Sequence, residues 1–129
     1  MPRPKPRCTR LTVTTVIDVA HPFKLTEKAF QHQIEHLAHV FGWRLFHAKP
    51  SQLPNGRWVT AQTGDIGFPD LVLAHPVKGL IFAELKGATG RVTVSQRTWL
   101  NVLEATGAEC YVWRPQDFDF IKTRLQGAK

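Results

Sequence analysis

The chain is short of several things that would place it quickly. Cysteine occurs twice in 129 residues, at Cys8 and Cys110. Two thiols are too few for a disulfide framework and suit a reducing compartment. Long apolar runs are missing. None approaches the ~20 residues of a membrane-spanning helix, so no membrane partner is expected. The N-terminal stretch lacks the apolar segment of a secretory signal, and with the thiol count this points to the cytoplasm. No segment repeats, which sets aside solenoids and arrays. Acidic residues are scarce, 10 against 17 basic ones, and the formal charge is +7. With a pI of about 9.9, that surplus suits a polyanion, most often nucleic acid; an unspecific basic surface is the plainer alternative.

What is present is enough for one domain. Hydrophobic residues make up 43% of the chain, an ordinary share for a globular protein of a length that supports a real core. The most informative stretch runs from Pro69 to Gly87. Its apolar runs, Leu71 to Ala74 and Leu80 to Ala83, flank the loop His75-Pro76-Val77-Lys78-Gly79, a hairpin pattern. Symmetry about Val77 sets Ala74 against Leu80, Val72 against Phe82, and Asp70 against Glu84. Opposed residues share one face of a sheet, with Cβ atoms roughly 4.5–5.5 Å apart. The strand period of two brings Lys86 to the same face. Two carboxylates and an amine thus meet at one end of an apolar ribbon. Opposed like charges destabilise a strand pair and push one pKa up. A hard cation such as Mg²⁺, which takes oxygen ligands and often needs only one or two carboxylates, resolves the conflict. A surface hairpin with Lys86 bridging two acids is the purely structural reading, and a one-residue slip of register would move Asp70 to the other face.

The rest of the chain is read around that hairpin. Residues 1–10 alternate Pro with Arg3, Lys5 and Arg7, with Arg10 close behind. Proline at 2, 4 and 6 favours an extended arm, either a phosphate-tracking device or a basic tail. Leu11–Val19, rich in β-branched residues, reads as a strand. A helix is expected from Leu25 to Gly42, capped by Thr26, stapled by Leu25 on Phe30 and stopped by Gly42. Phe30, Ile34, Leu37, Ala38 and Phe41 form its buried stripe. Glu27 falls in the same sector and Glu35 well outside it. Glu27 is either a favourable charge at a helix N-terminus or an acid aimed inward.

The same helix carries His32-Gln33-Ile34-Glu35-His36, an H-x-x-E-H pattern, and a stripe of His32, His36 and His39 of the kind that ligates zinc. That stripe lies opposite the buried face, where a solvated surface is the better reading. Trp43–Ala48 reads as a strand, Lys49–Gly56 as a loop and Arg57–Thr63 as a further strand. Asp65 is a rival acid beside the hairpin. After Lys86 comes a Gly-rich loop, Gly87 to Gly90, followed by Arg91. A helix then runs from Val94 to Thr106 and stops at Gly107. Thr93-Val94-Ser95-Gln96 fits a capping box, and Gln96 also shares the inward stripe of Trp99, Leu100 and Leu103. Glu109–Arg114 reads as a strand ended by Pro115, and Asp117–Gln126 as a short helix.

Pro69-Asp70, then thirteen residues, then Glu84-Leu85-Lys86 resembles the PD-(D/E)xK nuclease motif. Within that superfamily the chain most resembles the VRR-NUC domain. The resemblance rests on Gly67-Phe68-Pro69-Asp70, Phe82-Ala83-Glu84-Leu85-Lys86, and Val94-Ser95-Gln96 with Trp99-Leu100, and covers residues 25 to 115. It implies an α/β, restriction-endonuclease-like core of helix, three-strand meander, helix and strand over residues 25–129. Residues 1–24 are then an arm and an extra strand.

The resemblance further implies a cytoplasmic, metal-dependent DNA endonuclease in which Asp70, Glu84 and the Leu85 carbonyl bind Mg²⁺ or Mn²⁺. Lys86 orients or deprotonates water, Glu27 serves a second metal or its waters, and Gln96 supports Lys86 or the water. Arg3, Lys5, Arg7, Arg10 and Arg91 are the candidate DNA contacts. Standalone members of this size resemble Holliday-junction resolvases and act as homodimers on branched DNA. A flap or nicking nuclease, a non-catalytic DNA-binding module and, last, a zinc peptidase are the other readings.

Overall fold

The structure, a computed structural model, describes residues 25–48, 51–59 and 63–127. The basic arm with Arg3, Lys5, Arg7 and Arg10 and the expected strand Leu11–Val19 lie outside the described residues.

Helix α1 (Glu27–Val40) begins at Thr26, whose hydroxyl accepts from the Ala29 N–H at 3.0 Å. It ends at Gly42, where φ is +84°, a conformation that glycine adopts without the Cβ penalty. Strand β1 (Arg44–His47) follows, then a two-residue pair, β2 (Ser51–Gln52) and β3 (Trp58–Val59). The sequence suggested a loop and one long strand here. Instead Asn55-Gly56 folds the chain back, with the Asn55 side chain accepting from the Arg57 N–H at 2.9 Å, and the two pieces form a ribbon of their own. The hairpin is β4 (Leu71–His75) and β5 (Gly79–Leu85); α2 (Val94–Ala105) leads to β6 (Glu109–Trp113). The C-terminal helix has two parts, a 3-10 turn at Pro115–Asp117 and α3 (Phe118–Gln126).

The main sheet has four strands in the order β1-β4-β5-β6. Strands β1, β4 and β5 form an antiparallel meander, and β6 runs parallel to β5. Crossing over through α2 is what a parallel return requires. The hairpin register pairs Val72 with Phe82 and Ala74 with Leu80, as its symmetry about Val77 demands. Alternation then separates two faces. Leu71, Leu73, Ile81, Ala83 and Leu85 pack with Phe30, Ile34 and Ala38 of α1 and Ile121 and Leu125 of α3 in the main core. The other face carries Val72, Phe82 and Glu84 toward α2 and the loop before β4, through Phe68 on Phe82 and Gln96 on Glu84. Among the described residues the architecture is a mixed α/β fold with a small mixed sheet and three α-helices. No described helix is long and apolar enough to cross a membrane.

Candidate active site

The chain enters the site through Gly67-Phe68-Pro69-Asp70. Gly67 has φ +96°, and a Cβ there would lie 2.6 Å from the Ser95 backbone. Only glycine lets this loop sit against the first turn of α2. Phe68 meets Phe82 and Trp99 edge-on, with ring centroids 5.9 and 4.9 Å apart. The Trp99 indole N–H donates to the Asp65 carbonyl at 3.2 Å. The spaced residues Gly67, Phe68, Phe82, Ser95 and Trp99 are therefore one contact set, which holds the loop, β5 and α2 in fixed relation.

At the loop's end, Asp70 Oδ2 accepts from the Leu85 N–H at 2.8 Å. The aspartate side chain thus continues the ladder one step past its last backbone pair, Leu71 with Ala83. The same register sets Asp70 opposite Glu84, as expected. The rival acid Asp65 is exposed and contributes its backbone carbonyl, not its carboxylate, to the Trp99 contact.

Glu84 is 1% exposed. Its Oε2 accepts from Gln96 Nε2 at 2.8 Å and has Lys86 Nζ at 3.7 Å. Its Oε1 is buried without a hydrogen-bond partner. Burial, then the neighbouring Asp70 carboxylate, pushes the Glu84 carboxyl from its ordinary 4.5 up to about 8, with Lys86 pulling the other way. These are the two effects expected for a carboxyl that is both desolvated and beside a like charge.

Gln96 works at both ends of its amide. Its Oε1 accepts from the Thr93 N–H at 2.9 Å and its backbone N–H donates to Thr93 Oγ1 at 3.2 Å, closing the capping box. Its Nε2 holds Glu84. The support expected for Lys86 or the water falls on Glu84, because the α2 N-terminus lies over that strand position.

Other expected residues are placed differently. Glu27 is exposed. A helical wheel gives a side chain's direction but not how far the core extends along the axis, and the buried stripe of α1 starts at Phe30. Glu35, expected to point away, is half-buried, accepting from Gln31 Nε2 at 2.7 Å, and the same amide lies 3.4 Å from His47 Nδ1. The His32, His36 and His39 stripe is exposed, in line with the solvated surface expected of it, and Arg91 is exposed as well. Sequence reading passed over Arg114. It leaves β6 beside Lys86, whose N–H donates to the Trp113 carbonyl at 3.0 Å. The parallel pairing of β5 and β6 was the available signal, since it sends the residues after both strands out at the same sheet end.

Two opposed carboxylates, with one buried oxygen of Glu84 left short of a partner, are oxygen donors of the kind a hard divalent cation takes. Among the described residues no group of three or more His, Cys, Asp and Glu is brought together.

A buried, opposed acid pair with an adjacent lysine, at the end of a small mixed sheet, is compatible with a nuclease-like fold. The VRR-NUC domain family model matches residues 18–117, and the chain belongs to that family. No curated protein and no solved structure matches it. Membership makes its function nuclease-type, with DNA as the substrate.

Proposed function

We propose that the protein is a divalent-cation-dependent endodeoxyribonuclease of the PD-(D/E)xK type, using Mg²⁺ or Mn²⁺. It cuts branched DNA, Holliday junctions foremost, as a homodimer. The observation that carries the chemistry is Glu84: a buried carboxyl with one oxygen unpartnered and a second acid, Asp70, across the strand pair. Such a group is costly in a purely structural role, and a cation removes the cost.

Asp70, Glu84 and the Leu85 carbonyl would hold the ion. When bound, it supplies positive charge that acidifies water and offsets charge on a phosphoryl oxygen. Gln96 fixes Glu84 through Oε2, which leaves Oε1 as the free donor. Lys86, only 14% exposed, keeps its ammonium on the acids' face. There its Nζ, as the ammonium, orients the attacking water and steadies the developing phosphate charge, or, as the neutral amine, takes the water's proton. Dimerisation fits the substrate, because two sites related by a two-fold axis match two symmetric strands at a four-way junction.

Cleavage of four-way, flapped, nicked and linear DNA, with Mg²⁺ or with chelator, tests this. Paired cuts in the four-way junction that require the cation are expected. Preference for a flap or nick would keep the chemistry and replace the substrate. Failure to cut any of the four with Mg²⁺ or Mn²⁺ would overturn the proposal.

A further inference from the structure

Beside the acids, at the same sheet end, lies an open cleft of about 530 Å³ lined by Ala88, Thr89, Gly90, Arg91, Val92 and Arg114. Its charge is one-sided. Two guanidinium groups line it, no acid does, and among the described residues no carboxylate forms an ion pair with either guanidinium. Arg114 is also held in place. Its Nη1 donates to the Gly87 carbonyl at 2.8 Å, and its backbone N–H donates to Asp117 Oδ2 at 2.9 Å. Two residues on, Gln116 Nε2 donates to the Ala88 carbonyl at 3.2 Å. The 114–116 turn thus ties down the Gly-rich loop directly after Lys86. Leu85 and Trp113 are register partners, so the side chain that opens this cleft follows the same sheet end as the lysine of the candidate active site.

We propose that this cleft is a phosphate subsite, in which Arg114 and Arg91 hold the phosphodiester next to the one being cut. The inference rests on the nuclease reading of Asp70, Glu84 and Lys86. A guanidinium fork matches phosphate oxygens in geometry as well as charge. One anchored N–H fixes the Arg114 fork and leaves the others for a ligand. Glycine at 87 and 90 leaves the two ends of the loop without side chains. The subsite touches no reacting atom. Arg114 and Arg91 are positioning residues that set which phosphate reaches Glu84, since phosphate contacts fix register and not sequence.

The test uses the full chain and a branched DNA, with binding followed by fluorescence anisotropy in chelator so that no cutting occurs. Arg114→Gln and Arg91→Gln are each expected to weaken binding by about tenfold or more at low salt. Each should also flatten the salt slope of log K, and the two together by about 0.9, the share of the one phosphate they hold, a change that a loosened fold does not produce. Arg114→Lys should restore the slope but not the full affinity. Neutral methylphosphonate linkages walked one by one along the strand locate the contact. At the phosphate beside the cleavage point, neutralisation should weaken the wild type more than it weakens Arg114→Gln or Arg91→Gln, and should leave the double variant unaffected.

Unchanged salt slopes, or penalties that simply add at every linkage, would overturn the subsite. If Arg114→Gln fails to fold, Arg91→Gln carries the same test, because Arg91 is exposed. Wild-type cutting separates the two proposals: cutting without this coupling sinks the subsite alone, and no cutting sinks the nuclease reading.

Discussion

Two glutamates are buried in this sheet, and they are satisfied in opposite ways. Glu109 begins β6 in register with Ile81, while Glu84 sits near the end of β5 in register with Val112. Strand alternation puts Glu109 on the main-core face and Glu84 on the α2 face. Both are nearly inaccessible, at 4% and 1%. Around Glu109 everything is paired. Arg124 reaches both carboxylate oxygens, and the Tyr111 hydroxyl donates to one of them. Arg124 also donates to the Lys78 carbonyl at 2.7 Å and stacks over Trp43. Its guanidinium is held above its ordinary pKa, first by the hydrogen bond to Glu109.

Around Glu84 one amide and a lysine at 3.7 Å serve one oxygen, and the other has no partner. A buried charge is tolerable when paired and hydrogen-bonded and costly otherwise. The first arrangement staples β6 to α3 and the hairpin turn. The second leaves a deficit at the sheet end, of the kind that an ion or ligand can fill.

The sharpest way to break this comparison is to neutralise each glutamate. Glu84→Gln should lower single-turnover cutting of branched DNA by about 10²–10⁴-fold. DNA binding should stay near wild type and Tm should be equal or higher, because an amide is cheaper to bury. Lys86→Ala should lose cutting on the same scale. Glu109→Gln should do the reverse. It leaves Arg124 buried opposite a neutral group, at a cost of roughly 3–5 kcal/mol measured by denaturant titration, while cutting per folded molecule is unchanged. A folded Glu109→Gln that does not cut, or a Glu84→Gln that unfolds, would collapse the distinction.

A smaller effect follows from pH. Without cation, the folded chain keeps a proton on Glu84 between its ordinary 4.5 and about 8, where the unfolded chain has released it. The native state binds more protons there, so this group's contribution to stability falls as pH rises through the window. Thermal scans at several pH values should show that decline. Mg²⁺, which binds the charged form, should make it shallower, and Glu84→Gln should remove it. A slope of the opposite sign that Glu84→Gln removes would refute the assignment. The smallest effect is expected at Glu27. An exposed acid outside the pair should change cutting by about twofold at most when replaced by Gln, the scale of an ordinary surface substitution. A loss as deep as that of Glu84→Gln would restore Glu27 to the site.

Much of the site was legible because its spacing is local. The loop centred on Val77 fixes the hairpin register, and the register brings Asp70 to Glu84. Gln96 was readable as both cap and inward residue, since one helical turn dictates both. Less could be read where the answer depends on distant chain. Glu109 reads as an ordinary strand start, and its partner Arg124 lies fifteen residues on, in another element. Glu27 has the right azimuth on α1, but only the packed structure shows where the core ends. The short β2–β3 ribbon shows the same limit: Asn55-Gly56 signals a turn, yet nothing local says whether the flanking residues join the main sheet.

The central claim is that Glu84 is a buried carboxyl short of a partner that a divalent cation completes. Carbon-13 NMR titration of the glutamate side-chain carboxyls, assigned with Glu84→Gln, reads it directly. Without cation, Glu84 should titrate near pH 8. With saturating Mg²⁺, its titration should move down by several units. A Glu84 carboxyl that titrates in the ordinary glutamate range, and whose titration Mg²⁺ does not move, would contradict the account.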